Sequence, residues 1–124
     1  MEKLATIKFR RRYHKLANKE FTTIRGKAQF KRLRVGQEVL CETPIRDCTC
    51  PTGVFKAKVA KLELERIRAM GDDFLAADAS YPGHPVHGRE DFIALVNSFR
   101  PKHWGANAQV GMDTEMTIIT LQKL

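Results

Sequence analysis

The feature that most constrains the fold is a long stretch between Gly53 and Ile67 in which apolar and polar residues alternate. Apolar residues occupy every second position up to Val59 and again from Leu62 onward, but the two series differ in parity. One extra residue in a strand shifts a two-residue period in this way. The stretch therefore predicts one long strand with a bulge near Ala60 or Lys61, the device that curves a sheet into a barrel.

The other elements are short, and periodicity separates strands from helices. Residues 115–121 are apolar on both faces, which predicts a strand covered on both sides. Asn18 is a suitable left-handed terminator for the first helix, and Pro101 stops the last one. The sequence predicts further strands over residues 5–9, 21–25, 38–43 and 115–121, and helices over 10–19, 71–77 and 89–99. We therefore expect an α+β fold, a small β-barrel with two to three short helices, in a single domain over residues 1–124.

The net charge of +8 lies entirely in the first half of the chain. Residues 1–62 hold 16 basic and 5 acidic residues, whereas residues 63–124 hold 6 basic and 9 acidic ones. A one-sided basic field captures polyanions, so nucleic acid is the leading partner class. The alternatives are a solvated basic surface and a module that binds an acidic protein.

Hydropathy and cysteine usage restrict the compartment and the cofactors. No apolar run is long enough to span a bilayer, and the start of the chain lacks the apolar core of a signal peptide, so we expect a cytoplasmic protein that does not bind membranes. Cys48 and Cys50 are separated by one residue, which does not match zinc-ligand spacing, and Cys41 is expected to be buried. His84 and His87 lack a helix to align them, so we predict neither a metal nor another cofactor.

Three segments in this order resemble an ASCH domain, a branch of the PUA-like β-barrels. The most specific is Asn18–Arg25, which ends in Thr23-Ile24-Arg25, and the second is the turn Val35-Gly36-Gln37 before a strand. The long strand, the helix over 89–99 and the final strand follow as in the family, so the resemblance covers most of the chain. It implies a PUA-like β-barrel with a cleft for a nucleotide or single-stranded RNA.

Some bacterial ASCH domains are amidohydrolases that deacetylate acetylated cytidine with a Lys, a Thr and a Glu. Thr23 matches the family threonine, Glu20 occupies the position of the motif lysine, and Lys19 stands one place earlier. The family glutamate falls within residues 85–88, which contain no carboxylate; Glu90 and Asp91 are the nearest, and His87 is a possible replacement. The resemblance thus implies Thr23, Lys19 and Glu20 as the candidate catalytic set.

The same region also contains candidate residues for binding a phosphate or a base. Arg25 can bind phosphate through its guanidinium fork, and basic residues after it extend this to a phosphate-binding rim. Stacking platforms for single-stranded RNA would come from aromatic residues. The candidate rim is Arg25, Lys27, Lys31, Arg32 and Arg34, and the candidate platforms are Trp104, Tyr81 and Phe21. We expect an RNA- or nucleotide-binding protein; the alternative is a hydrolase acting on modified nucleosides or on RNA, so catalysis stays open.

Overall fold

A computed structural model of the protein describes residues 4–46, 48, 50–99 and 109–124. Within them, two short 3₁₀ turns cover His14–Ala17 and Ile67–Ala69. The strands are β1 (Ala5–Lys8), β2 (Glu20–Gly26), β3 (Glu38–Glu42), β4 (Val54–Arg66) and β5 (Glu115–Lys123). The α-helices are α1 (Gln29–Arg32), α2 (Asp72–Ala79) and α3 (Arg89–Phe99). No helix in these ranges is long and apolar enough to cross a membrane.

The five strands form one curled sheet in the order β1-β3-β4-β5-β2, which makes an α+β half-barrel. β1 pairs with β3 in parallel, and the other neighbours are antiparallel. β1 and β2 are therefore the two edge strands. The free edges of a curled sheet approach each other, so a seam between β1 and β2 is the natural place for an opening.

The predicted bulge in the long strand is confirmed. In the β4–β5 ladder Val59 lies opposite Leu121 and Lys61 lies opposite Thr120, so Ala60 is the extra residue. The shift keeps apolar side chains on the same face of the sheet on both sides of the bulge. The strand can thus bend without exposing its apolar residues.

The sheet is covered on both faces, which explains the apolar β5. One core packs against one face of the sheet, and the other packs residues of α2 and α3 against the opposite face. Alternate residues of β5 supply the two cores. The first core includes Phe9, Phe21, Val39, Val59, Ile119 and Leu121, and the second includes Ile67, Leu75, Phe92, Met116 and Ile118.

The helix predicted over residues 10–19 is wrong. Only His14–Ala17 turn, as a 3₁₀ helix, and the residue before it, Tyr13, is extended with ψ 136°. Asn18 is also extended, with φ −86°, and not left-handed. The consecutive arginines before Tyr13 offer no apolar face to hold a helical turn against the sheet, so the segment forms no helix. The short α1 was not predicted, because Gln29–Arg32 contributes no buried residue to the core.

Candidate functional site

A cleft of about 220 Å³ opens at the seam between the two edge strands. Its floor comes from the end of β1 and from β2, and its walls come from α2 and α3. Sequence order separates these elements, and the curl of the sheet brings them together. We call this the Arg25 cleft; its lining includes Phe9, Arg10, Tyr13, Lys15, Thr23, Arg25, Asp78, Phe92, Leu95 and Val96.

The half-buried Arg25 spans the seam. Its Nε donates to Thr23 Oγ1 at 3.0 Å, its Nη2 donates to the backbone oxygen of Lys8 at 2.8 Å, and its guanidinium lies 5.0 Å from the ring centre of Phe9. The ion pairs found in the described part of the chain do not include Arg25. Burial lowers the pKa of Arg25, which remains a cation at any physiological pH.

Arg25 also keeps a side-chain donor that no described residue uses. Its Nη1 makes no hydrogen bond to any described residue, whereas every fully buried side-chain nitrogen and oxygen in those residues has a partner. Nη1 is therefore not fully buried and is accessible to solvent. A guanidinium with a free donor and no carboxylate partner suits an anionic or carbonyl oxygen of a ligand.

A buried ion pair forms the second polar element of the cleft. Lys15 Nζ lies 3.2 Å from Asp78 Oδ1, and both side chains are almost fully buried. Thr22 donates its hydroxyl to the same carboxylate oxygen at 2.7 Å, which fixes the carboxylate. Burial lowers the pKa of Lys15, although the charge of Asp78 opposes that shift. The cleft thus contains an amine that is easier to deprotonate than an ordinary lysine.

Aromatic and apolar side chains complete the walls. The ammonium of Lys15 lies 5.5 Å from the ring centre of Phe9 and 5.1 Å from that of Tyr13. Burial raises the pKa of Tyr13, so its hydroxyl stays protonated. Phe92 and Leu95 of α3 supply the apolar side of the cleft. A flat ring bearing an anionic or carbonyl group would match this combination of surfaces.

The structure brings together two of the predicted site residues and leaves others outside. Thr23 is buried in the Arg25 cleft beside Arg25. Lys19 and Glu20 are exposed and do not line it; Glu20 accepts a hydrogen bond from Gln122 at 2.8 Å across the β2–β5 ladder. The groups that accompany Thr23 are instead Lys15 and Asp78.

Apart from Arg25, the residues of the predicted basic rim do not line the Arg25 cleft. Lys27 pairs with the exposed Glu115 at 3.1 Å. Lys31 and Arg32 are exposed on α1, and Arg34 is exposed just after it. Of the predicted platforms, Phe21 is buried in the first core, Tyr81 is half-buried, and Trp104 falls outside the described residues.

The histidines and cysteines lie elsewhere. His84 is exposed and stacks on Tyr81, and the backbone N–H of His87 donates to Asp91 at 2.9 Å; neither histidine lines the Arg25 cleft. Burial raises the pKa of Cys41 to about 11, and Cys48 is exposed. Among the described residues no three His, Cys, Asp or Glu side chains are grouped to hold a metal ion.

Sequence reasoning missed Lys15 and Asp78. Lys15 was overlooked because an α-helix over residues 10–19 would place it away from Tyr13, whereas the 3₁₀ turn buries it. Asp78 carries a detectable signal: it stands among alanines in the last turn of α2, where a negative charge opposes the helix dipole. A carboxylate in such a position indicates a partner elsewhere in the fold.

Comparison with known proteins identifies a relative that spans the whole chain. The sequence is 34% identical to the Uncharacterized protein MJ0364 of Methanocaldococcus jannaschii over 126 aligned positions, covering 100% of both chains. The chain belongs to the MJ0364 family. No family model matches the chain, and no solved structure matches it. Because the match to MJ0364 is end to end, it includes every strand and helix that builds the Arg25 cleft.

Proposed function

We propose that the chain is an ASCH-type domain of PUA-like fold that binds RNA or a nucleotide-like ligand in the Arg25 cleft. The Thr23-Ile24-Arg25 motif supports the assignment because its threonine and arginine side chains meet in this cleft. The curled sheet is compatible with a small barrel. The basic first half of the chain supplies the field that would attract a polyanion.

The observation that carries this proposal is the electrostatic state of Arg25. Lys15 forms an ion pair with Asp78, whereas the half-buried Arg25 makes no ion pair with a described residue, feels Asp78 only as a more distant charge, and keeps a donor accessible to solvent. A half-buried cation without an ion-pair partner is stabilised by an anionic ligand that supplies one. Phosphate oxygens suit a guanidinium, and a base would lie against the aromatic and apolar walls.

The test is a titration of the protein against two probes, a fluorescent single-stranded RNA and cytidine monophosphate. We expect Arg25→Met to weaken binding of both by roughly 10- to 100-fold, the effect of losing a charge-assisted hydrogen bond. Arg66→Met is the matched control because Arg66 is exposed on β4, away from the cleft. No binding of either probe, or equal binding by Arg25→Met and the wild type, would refute the proposal.

The predicted rim is tested in the same titration. Lys31 and Arg32 are both exposed on α1 and could still contact phosphates beyond the cleft. If they do, replacing both with Met should lower RNA affinity and flatten its salt dependence without affecting cytidine monophosphate. Unchanged RNA binding would remove α1 from the interface.

A second candidate function is hydrolysis of an acylated nucleoside, favoured by the presence of Lys15 in the same cleft as Thr23. In that reaction Thr23 Oγ would attack the acyl carbonyl while Lys15, in its neutral form, accepts the hydroxyl proton. The C–N bond would then break, with Lys15 returning the proton to the leaving amine, and water would hydrolyse the acyl-threonine ester. Asp78 would hold Lys15 in place.

The hydrolase is tested by incubating the protein with N4-acetylcytidine and measuring released cytidine. Thr23→Ala should abolish turnover while retaining affinity for the product. Thr6→Ala, an exposed threonine on β1, is the matched control. Turnover that survives in Thr23→Ala would exclude the nucleophile, and absence of turnover in the wild type would leave binding as the function.

A further inference from the structure

The turn Tyr81-Pro82-Gly83-His84 carries two aromatic rings outside the lining of the Arg25 cleft. Gly83 has φ +82°, and the backbone N–H of His84 donates to the oxygen of Tyr81 at 2.9 Å, as in a tight turn with Pro and Gly at its centre. This turn stacks the rings of Tyr81 and His84 on each other, with their centres 4.7 Å apart and 27° between their planes. We call this pair the Tyr81–His84 platform.

The two residues of the platform differ in exposure: Tyr81 packs against other side chains, and His84 is exposed. The Tyr81 ring meets the edge of Tyr13 at 5.7 Å, and the guanidinium of Arg11 lies 5.7 Å from its centre. The N–H of His14 donates to the oxygen of Ser80 at 3.1 Å, which ties the two segments together. His84 is exposed. The stack is therefore fixed on the Tyr81 side and accessible on the His84 side.

The platform adjoins the Arg25 cleft through Tyr13, which lines that cleft. Tyr13 also lines a second cleft of about 410 Å³. Exposed arginines border both: Arg10 lines the Arg25 cleft, and Arg12 lines the second. Arginines and aromatic rings thus lie in two clefts that share Tyr13, and proteins that bind single-stranded nucleic acid combine these two kinds of group.

We propose that this surface binds single-stranded RNA. One nucleotide occupies the Arg25 cleft, a neighbouring base stacks on the open face of the Tyr81–His84 platform, and the phosphates between them contact Arg10 and Arg12. Stacking on a side chain requires a base that is not already stacked within a duplex, so single strands are preferred. This inference rests on the proposed function and adds to it a second base-binding site outside the cleft.

The test compares a short single-stranded RNA with cytidine monophosphate on the same variants. His84→Ala should weaken RNA binding at least about fivefold, since one base loses its stacking partner, and leave cytidine monophosphate unaffected. His84→Phe retains a ring and should restore RNA affinity. Both substitutions are at an exposed position, and thermal melting checks that each variant remains folded.

The phosphate contacts are tested by charge-matched pairs. Replacing Arg10 and Arg12 with Met should reduce RNA affinity and flatten its salt dependence, whereas replacing Lys56 and Lys58, both exposed on β4, should not. Equal effects of the two double substitutions would show that only net charge matters and would overturn the proposed RNA-binding surface. Duplex RNA or polyglutamate binding as tightly as the single strand would also overturn it.

Failure of this inference can be distinguished from failure of the proposed function. RNA binding that depends on Arg25 and ignores His84 would overturn the platform and leave the cleft assignment intact. RNA binding that depends on His84 and ignores Arg25 would support the platform and overturn the cleft assignment. Absence of RNA binding by the wild-type protein would overturn the platform.

Discussion

Arg25 on β2 donates a hydrogen bond of 2.8 Å to the backbone oxygen of Lys8 on β1 and so connects the two edges of the curled sheet. The strands themselves do not pair there, because β1 pairs with β3 and β2 with β5. One side chain therefore bridges the seam that backbone hydrogen bonds leave open. The same side chain lines the Arg25 cleft, so the connection between the two sheet edges and the proposed ligand site share one residue.

This bridge predicts that Arg25→Met lowers stability as well as binding. Losing charge-assisted hydrogen bonds should reduce the free energy of unfolding by about 1.5–3 kcal/mol. The substitution should accelerate amide hydrogen exchange more in β1 than in β4, because only β1 loses its hydrogen bond to Arg25. Urea unfolding and native-state hydrogen exchange measure both effects. An unchanged unfolding midpoint would mean that the bridge does not stabilise the sheet.

The buried pair between Lys15 and Asp78 predicts a large asymmetry between two kinds of substitution. Asp78→Asn leaves Lys15 buried without its counter-ion and should cost about 3–5 kcal/mol in urea unfolding. Replacing both residues with apolar ones should recover most of that loss. Asp113→Asn, which disrupts an exposed pair with Arg68, is the control and should leave the midpoint unchanged. Equal midpoints for the two asparagine variants would contradict a buried role for Asp78.

Cys41 predicts a loss of stability in alkaline solution. Its pKa rises from 9.0 to about 11 on folding because burial disfavours the thiolate. Between those pH values the unfolded chain releases the proton first, so the free energy of unfolding falls as pH rises, by about 2–3 kcal/mol in total. Lys15, whose pKa is lowered, contributes with the opposite sign below pH 10.5.

A variant comparison isolates the thiol from the amine. The stability difference between the wild type and Cys41→Ala should shrink between pH 9 and 11, since only the wild type carries the titrating thiol. Cys48→Ala, at an exposed cysteine, should show a constant difference. A constant difference for Cys41→Ala as well would contradict burial of the Cys41 thiol.

Gly83 predicts a local effect on the Tyr81–His84 platform. A side chain at φ +82° is strained, so Gly83→Ala should reduce stability by about 1 kcal/mol and disturb the ring stack. Gly111→Ala is the control, because Gly111 is not among the glycines with positive φ and nothing lies within 4 Å of an added Cβ. Thermal melting and the ring-proton shifts of Tyr81 report the two effects. Identical melting of both variants would mean that the turn is not strained by a side chain.

The sequence predicted most of the sheet because its signals are local. The parity change around Ala60 located the bulge, and the spacing of Phe92, Leu95 and Val96 gave α3 with its observed bounds. The helix predicted over residues 10–19 is wrong because their periodicity fits a helix, whereas the fold has an irregular segment followed by a 3₁₀ turn there. Strand order did not follow from the sequence, since pairing between distant strands leaves no local pattern.

The site was predicted only in part for the same reason. Thr23 and Arg25 share one motif on one strand, so the sequence identified them together. Lys15 and Asp78 are 63 positions apart and meet only because α2 packs on the 3₁₀ turn. In the sequence, the exposed lysines and arginines after β2 give a stronger charge signal than the two members of the buried pair. The predicted rim therefore centres on α1 and not on Lys15 and Asp78.

The most direct test of the Arg25 cleft is a two-dimensional NMR titration of the labelled protein with cytidine monophosphate. Binding in the cleft should shift the backbone amides of Lys8, Thr23 and Arg25 and the Nε–H of Arg25, and Arg25→Met should eliminate the response. Shifts confined to Lys31 and Arg32 on α1, or no shifts up to millimolar ligand, would contradict the account.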